Sequence, residues 1–402
     1  MTQVLSGLKV VDAGSFLAGP CAATIMSDYG ADVLKVEPLT GDRHRTIAAG
    51  HPIDHSWQLT GRNKRSLALD IATDRGREIL LKLVAEADVL VVNFSAGRLK
   101  RFGLTFSELH EHNPRLILAQ ISGYGLKGPD ADRRAFDLTG WFARTGIQDM
   151  MRDKDVAPSL PAGGVGDHAT ALSLFSGIML ALFKREQTGL GSMVDTSLAA
   201  TGTWANGLNL QATLTGADAI ARRDAEGWSS PFTNVYRCAD GRYVLLGMQN
   251  AKQGWPLLAE ALGHPEWLED ERFSHVRAVF KHRFEARALI ADAIATLTID
   301  ELSRLLDERG LVFSKVYRNA EVVEDEQLIA NGVIVPTESA EPGYDRTLAT
   351  PFNLSGEAQR TPALAPRIGE HSRAILAEHG LDDAAIDALI EQGIVGDGPP
   401  QR

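Results

Sequence analysis

Disulfide chemistry, clustered metal ligands and nucleotide fingerprints are all missing from this sequence, and each absence excludes a class of protein. Its 402 residues include only two cysteines, Cys21 and Cys238. Two cysteines make neither a disulfide framework nor a thiolate metal cluster, and they fit a reducing compartment. Neither has the spacing or the neighbours that would argue for a thiolate nucleophile. No G-x-G-x-x-G and no Walker sequence is present, which leaves a nicotinamide dinucleotide or a nucleoside triphosphate poorly supported. Positive charge is in deficit: 41 Lys and Arg stand against 52 Asp and Glu, a formal net charge of -11. Such a surface repels nucleic acid and anionic membrane. The longest apolar stretch, residues 169–183, is interrupted by Ser173, Ser176 and Gly177 and by itself is too short to span ~30 Å of hydrocarbon. The start carries no basic end followed by an apolar run, so no secretory signal is seen. The expectation is a cytoplasmic protein of two domains, or of one large domain with an insertion.

What is present is an alternation of two periodicities. Residues 8–13 pattern as a strand, 18–29 as a helix and 31–37 as a second strand, which makes a βαβ unit. The pattern continues with a helix over 74–87, whose Ile79, Leu80, Leu83 and Val84 share one face, and strands over 89–93 and 116–121. Strands alternating with helices imply a largely parallel sheet covered on both faces. A helix over 168–187 is apolar nearly all round and is expected to be buried, and 192–197 form another strand. Composition changes near Ala221, and a hairpin over 235–247 followed by amphipathic helices points to a second, smaller α+β domain.

Three segments could carry chemistry. The turn Gly14-Ser15-Phe16-Leu17-Ala18-Gly19-Pro20 opens a helix, whose unpaired N–H groups can face an anion, or it is a plain strand-to-helix turn. Basic residues gather at Arg43-His44-Arg45, Arg62-Asn63-Lys64-Arg65, Arg98 with Lys100-Arg101, and Arg133-Arg134, several of them after strands. Ligands of open α/β sheets bind beyond the carboxyl ends of the strands, so a small polyanion such as a nucleotide phosphate fits there; solvated surface charge is the competing reading. The third segment is Gly163-Gly164-Val165-Gly166-Asp167-His168. Asp167 either caps its helix by accepting backbone N–H bonds, or those bonds and the helix dipole keep it ionised as a nucleophile that glycines leave approachable.

The runs Leu5-Ser-Gly-Leu-Lys-Val-Val-Asp12, Leu17-Ala-Gly-Pro20, Gly30-Ala-Asp-Val-Leu-Lys-Val-Glu37, Asn63-Lys-Arg-Ser66, Asp88-Val-Leu-Val-Val-Asn-Phe94, Ser122-Gly-Tyr-Gly125, Gly166-Asp167 and Gly369-Glu-His371 resemble, in order and spacing, the class III CoA-transferases, the CaiB/BaiF family. The resemblance implies an α/β fold: a Rossmann-like large domain with an open parallel sheet, drawn from residues 1–220 and 336–402. A smaller α+β domain would span 221–335, and two chains would thread into an interlocked homodimer. It also implies a transferase that moves coenzyme A between an acyl-CoA and a small carboxylic acid, with no metal and no redox cofactor.

By the same resemblance Asp167 is the nucleophile, forming first an acyl anhydride and then an aspartyl-CoA thioester. The CoA contacts fall at Leu17, Ala18, Leu69, Asn93, Phe94, Arg101 and Tyr124. Pro38 and Ala72 stand where formyl-CoA transferase has basic residues, Leu17 replaces its glutamine, and Gly247-Met248-Gln249-Asn250 lacks its four-glycine loop. Oxalate and formyl-CoA are thereby disfavoured. Arg43, Arg45 and Arg134 could hold a second carboxylate, which favours succinyl-CoA as donor. Two alternatives stay open. One is an alpha-methylacyl-CoA racemase of the same fold, which Phe136 disfavours because it stands where that enzyme has a proton-carrying histidine. The other is a non-catalytic CoA-binding protein in which Asp167 is only a cap.

Overall fold

The computed structural model describes residues 3–47, 50–153, 155–217 and 230–398. The expected boundary near Ala221 lies outside these residues. Two compact units are present, one formed by Met1–Asp149, Leu160–Gln211 and Glu326–Arg402, the other by Met150–Ser159 and Ala212–Asp325.

The first unit is built on six parallel strands: β1 (Lys9–Asp12), β2 (Asp32–Glu37), β3 (Arg65–Ala68), β4 (Val89–Val92), β5 (Ile117–Ser122) and β6 (Met193–Ser197). Their order across the sheet is β3-β2-β1-β4-β5-β6. The chain thus runs outward from β1 in one direction, then returns and runs outward in the other from β4. The central strand β4 is apolar and buried throughout because helices cover both faces. Side chains alternate between the faces: in β4, Val89 and Val91 join one core, and Leu90 and Val92 the other.

Four helices of this unit matter for the site: α1 (Ala18–Asp28), α2 (Asp74–Ala85), α3 (Ala96–Phe102) and α4 (Val165–Thr188). The Val89 face packs against Ala22, Ala23 and Met26 of α1 and against Ala171, Leu174 and Ile178 of α4. The Leu90 face packs against Ile79, Leu80 and Leu83 of α2 and against Ile375 and Leu376 near the chain's end, so the C-terminal segment completes the layer. β3, which periodicity did not pick out, is only four residues long and begins inside a basic run.

Helix α4 departs from expectation. At 24 residues it is long and apolar enough to cross a membrane, and in this fold it serves instead as a layer on the sheet. It is not buried all round: Leu180 and Phe183 are 71% and 67% exposed. A helix crossed by a sheet on one side can bury only the stripe that faces it, whatever the rest is made of.

The second unit carries an antiparallel sheet of β7 (Thr233–Arg237), β8 (Tyr243–Gly247) and β9 (Phe313–Lys315). The hairpin pairs Thr233 with Gly247 and Arg237 with Tyr243. Its core holds Phe232, Trp255, Phe273 and Leu302, and Trp255 donates its indole N–H to the Phe273 carbonyl at 2.7 Å.

Candidate active site

Strand order decides where a ligand can sit. β1 and β4 are neighbours, and the connections leaving them run to opposite sides, which opens a crevice at their carboxyl ends. A cleft of about 310 Å³ lies there, lined by Gly14 and Ser15 after β1, by Pro38 and Leu39 after β2, and by Leu69 and Phe94 among others. Arg98 is the one cationic side chain lining it among the described residues. Its guanidinium stacks 4.0 Å from the Phe94 ring and 5.4 Å from the Phe102 ring, and among the described residues it forms no ion pair.

The loop from β1 to α1 is tied at every residue. Gly14 donates its N–H to Asp12 Oδ1 at 3.1 Å, and Lys35 Nζ donates to the Gly14 carbonyl. The Asn93 amide accepts from Ser15 N at 3.0 Å and donates to Ser15 O at 2.9 Å. Phe16 donates its N–H to Asp42 Oδ1 at 3.1 Å. Below the loop the charges balance in pairs. Lys35 lies 2.9 Å from Asp42 and 3.7 Å from Asp12, and Lys64 lies 2.9 Å from Asp12, all four being almost completely buried. Burial pulls the Lys35 ammonium down, but Asp12, Asp42 and Glu37 push it up by more, so its pKa stands above an ordinary lysine and it stays charged.

At the other end of the loop, Leu17 meets α4. The Cδ2 of Leu17 lies 3.1 Å from where a Cβ on Gly164 would be, and Gly164 has φ +91, a left-handed conformation that glycine adopts without strain. Gly166 is needed for a second reason: a Cβ there would lie 2.5 Å from the Trp141 ring. Asp167 does not cap the helix. Gly164 is the cap residue, and its N–H is taken by Asp137 Oδ2 at 2.6 Å.

Asp167 accepts no hydrogen bond among the described residues. Burial, and then the like charge of Asp137, raise its carboxyl from 3.8 to about 7. Both readings of its local role are therefore corrected: it is neither a cap nor a carboxylate held ionised by capping bonds, because Asp137, distant in sequence, has taken the helix N–H. What remains is a partly buried acid that accepts no hydrogen bond among the described residues, with its carboxyl pushed up to about 7 by burial and by Asp137. His168, next in the chain, points its Nδ1 to the Cys21 thiol at 3.6 Å. Burial pushes that thiol up to about 12, so it stays protonated.

The structure gathers some of the expected contacts and scatters others. Leu69 and Phe94 line the cleft, Leu17 abuts Gly164, and Ala18 opens α1 beside it. Asn93 is spent on closing the loop. Arg101 is exposed on α3 with its guanidinium 5.6 Å from the Phe102 ring, and Arg98 instead lines the cleft. Position could have found it: Arg98 lies a turn nearer than Arg101 to the start of α3, hence nearer the strand ends. Tyr124 has the guanidinium groups of Arg133 and Arg144 5.6 and 5.3 Å from its ring and does not line the cleft.

Two basic clusters prove structural. Arg45 bonds Glu37 at 2.7 Å and covers the Trp57 ring, Arg62 bonds Asp28 at 2.7 Å, and Lys64 bonds Asp12. Their carboxylate partners stand on β1, β2 and α1, and only the sheet order reveals them.

This geometry has counterparts in known proteins. (R)-2-hydroxy-4-methylpentanoate CoA-transferase of Clostridioides difficile is 32% identical over 98% of this chain and all of its own length. Succinyl-CoA--D-citramalate CoA-transferase of Chloroflexus aurantiacus is 31% identical over 93% of both chains. The crystal structure of a CAIB/BAIF family protein from Brucella suis superposes with a TM-score of 0.84 at 30% identity, over 94% of this chain and 100% of that one. The model of CoA-transferase family III matches residues 5–372, and with these likenesses running nearly end to end the chain belongs to that family, as an enzyme whose substrates are an acyl-CoA and a carboxylate.

Proposed function

We propose that this enzyme transfers coenzyme A from an acyl-CoA to a carboxylic acid by covalent catalysis at Asp167. The observation that carries this reading is the loop 14–17. Its Gly14 and Ser15 line the cleft, and its Leu17 touches the entrance of the helix bearing Asp167. CoA lying in the cleft, with Arg98 available to its phosphates, brings its thioester along this loop toward the carboxylate.

In the first step a carboxylate oxygen of Asp167 attacks the thioester carbonyl carbon. The C–S bond breaks, leaving an aspartyl acyl anhydride and CoA thiolate. The thiolate attacks the aspartyl carbonyl, expels the donor acid and leaves an aspartyl-CoA thioester. The acceptor carboxylate attacks that carbonyl, giving a second anhydride and thiolate again. Attack of the thiolate on the acceptor's acyl carbon then forms the new acyl-CoA and restores Asp167. Each step is an acyl substitution that leaves every oxidation state unchanged, so no redox partner enters the balance.

Phe136 supports transfer over racemisation, since its ring carries no proton. The reading that favours succinyl-CoA loses one of its three arginines, because Arg45 is committed to Glu37 and Trp57. Hydroxylamine added during turnover is expected to convert the anhydride or thioester to a hydroxamate on the peptide bearing Asp167. Mass spectra with that peptide unmodified overturn the reading.

The exposed apolar face of the first unit supports a homodimer. Besides Leu180 and Phe183, Trp204 and Leu208 of the same unit are 87% and 83% exposed. Apolar side chains exposed together are covered by a partner surface in soluble proteins, and a second copy of the chain is the occupant proposed here. Sedimentation equilibrium is expected to give twice the chain mass, and the charged variant Trp204→Asp to shift it toward the monomer. A monomeric wild type at micromolar concentration rejects the dimer.

A further inference from the structure

We infer that Phe16 and Phe136 form a specificity wall, so that the acyl group carried at Asp167 has an apolar body, branched aliphatic or aromatic, rather than a second carboxylate. This rests on the Asp167 reading above and goes beyond it by naming the substrate class.

The first observation is a backbone outlier. Phe16 has φ +65, in the left-handed region where a bulky side chain is unfavourable. Such a residue persists only where its surroundings over-determine it, and here they do: Asp12, Lys35, Asn93 and Asp42 together hold the backbone of Gly14, Ser15 and Phe16. A glycine would occupy the same conformation without strain. What the fold gains by holding phenylalanine there is the ring.

The second observation is where that ring lies. It meets Phe136 edge to face, with centroids 5.4 Å apart and planes at 81°. Phe136 precedes Asp137, whose carboxylate bonds Gly164, and Phe16 precedes Leu17, which touches Gly164. Both rings are thus anchored through their next neighbours to the entrance of α4. Phe136 remains 59% exposed, with apolar surface free to be covered.

The third observation is what the polar groups nearby are doing. Asp42, Asn93 and Asp137 are spent on backbone N–H groups. Arg133 and Arg144 pair with Asp130 and flank Tyr124. Arg43 and Arg134 are the cations left of the three to receive a distal carboxylate, and they supply the competing outcome. A second carboxylate set against two aromatic rings would lose hydration without gaining a partner.

The test is identity exchange between each acyl-CoA and its own deuterated free acid, so that a single acyl site is interrogated. Wild type is expected to exchange 4-methylpentanoyl and 3-phenylpropionyl groups with kcat/KM at least about tenfold above succinyl. Phe136→Ala and Phe16→Ala are each expected to lower that ratio about tenfold, Phe136→Leu to restore most of it, and Phe16→Gly to lower it without loss of thermal stability. A merely structural role would move all substrates together. A wild-type preference for succinyl, or a ratio unmoved in Phe136→Ala, overturns the wall. Exchange that survives in Asp167→Asn with the ratio still responsive to Phe136→Ala removes the nucleophile and leaves the wall standing.

Discussion

Asp167→Asn is expected to lose acyl exchange by on the order of 10³-fold or more while still binding CoA and gaining stability at neutral pH. The loss follows from the mechanism: an amide neither attacks a thioester nor forms an anhydride. The gain follows from the same burial that makes the carboxyl unusual. Its pKa stands at about 7 in the folded chain against 3.8 ordinarily, so the native state keeps a proton that the unfolded chain has released. The stability this contributes is fully present below about pH 4 and is lost progressively as pH rises to about 7. At pH 8 the wild type carries a cost of roughly 2–4 kcal/mol that the asparagine variant avoids.

Urea unfolding at pH 4 and pH 8 measures the difference directly, and it is expected to be small at the first and large at the second. Activity runs the other way. The carboxylate is the attacking form, so kcat/KM for acyl-CoA is expected to climb with pH and level off above about 7. A profile already flat at pH 5, or an asparagine variant no more stable than wild type at pH 8, contradicts the desolvated environment assigned to this side chain. A site that is active where its nucleophile is least comfortable trades stability for function, as active sites commonly do.

The second large effect is expected at Lys35. Replacing it with methionine keeps the volume of the stem and removes the charge, leaving Asp42 buried without a cation and Asp12 with Lys64 alone. Removing one partner of a buried ion pair typically costs about 3–5 kcal/mol, because the remaining charge has neither water nor counter-ion. Lys35→Met is therefore expected to lower the unfolding free energy by about that amount, and to depress kcat/KM further through release of the Gly14 carbonyl and of Asp42, which holds Phe16. The double variant with Asp42→Asn is expected to recover part of the stability, since no unpaired charge is left on that side, but not the activity. A cost for the single variant below about 1 kcal/mol would mean that water reaches the network. The closed packing around these four side chains argues that it does not.

Much of the fold was legible beforehand for a physical reason. Helix and strand periodicities are local, and β1, α1, β2, α2, β4, β5 and β6 each fall within a residue or three of where the pattern of apolar residues places them. The four-residue β3 was not legible, since its first half, Arg65-Ser66, is polar and continues a basic run, whereas the equally short β4 is apolar throughout. Asp167 could be singled out because its glycine-rich approach is contiguous in the chain. Its environment could not, since Asp137 reaches Gly164 across a fold.

Arg98 and the basic clusters show the same division. Composition counts cations but does not say which are already answered, and Arg45, Arg62 and Lys64 find carboxylates on other strands and helices. Neighbours along the chain were enough for the alternation of strand and helix, the two-sided sheet, the family likeness and the glycine-rich segment that singles out Asp167. Tertiary packing was needed to show which charges are spent, that Phe16 and Phe136 meet edge to face, and that burial with Asp137 raises the Asp167 carboxyl. Those depend on a strand order that brings Asp12, Lys35, Asp42 and Lys64 together, and desolvation and Coulomb energy act through distance in space, which periodicity does not encode.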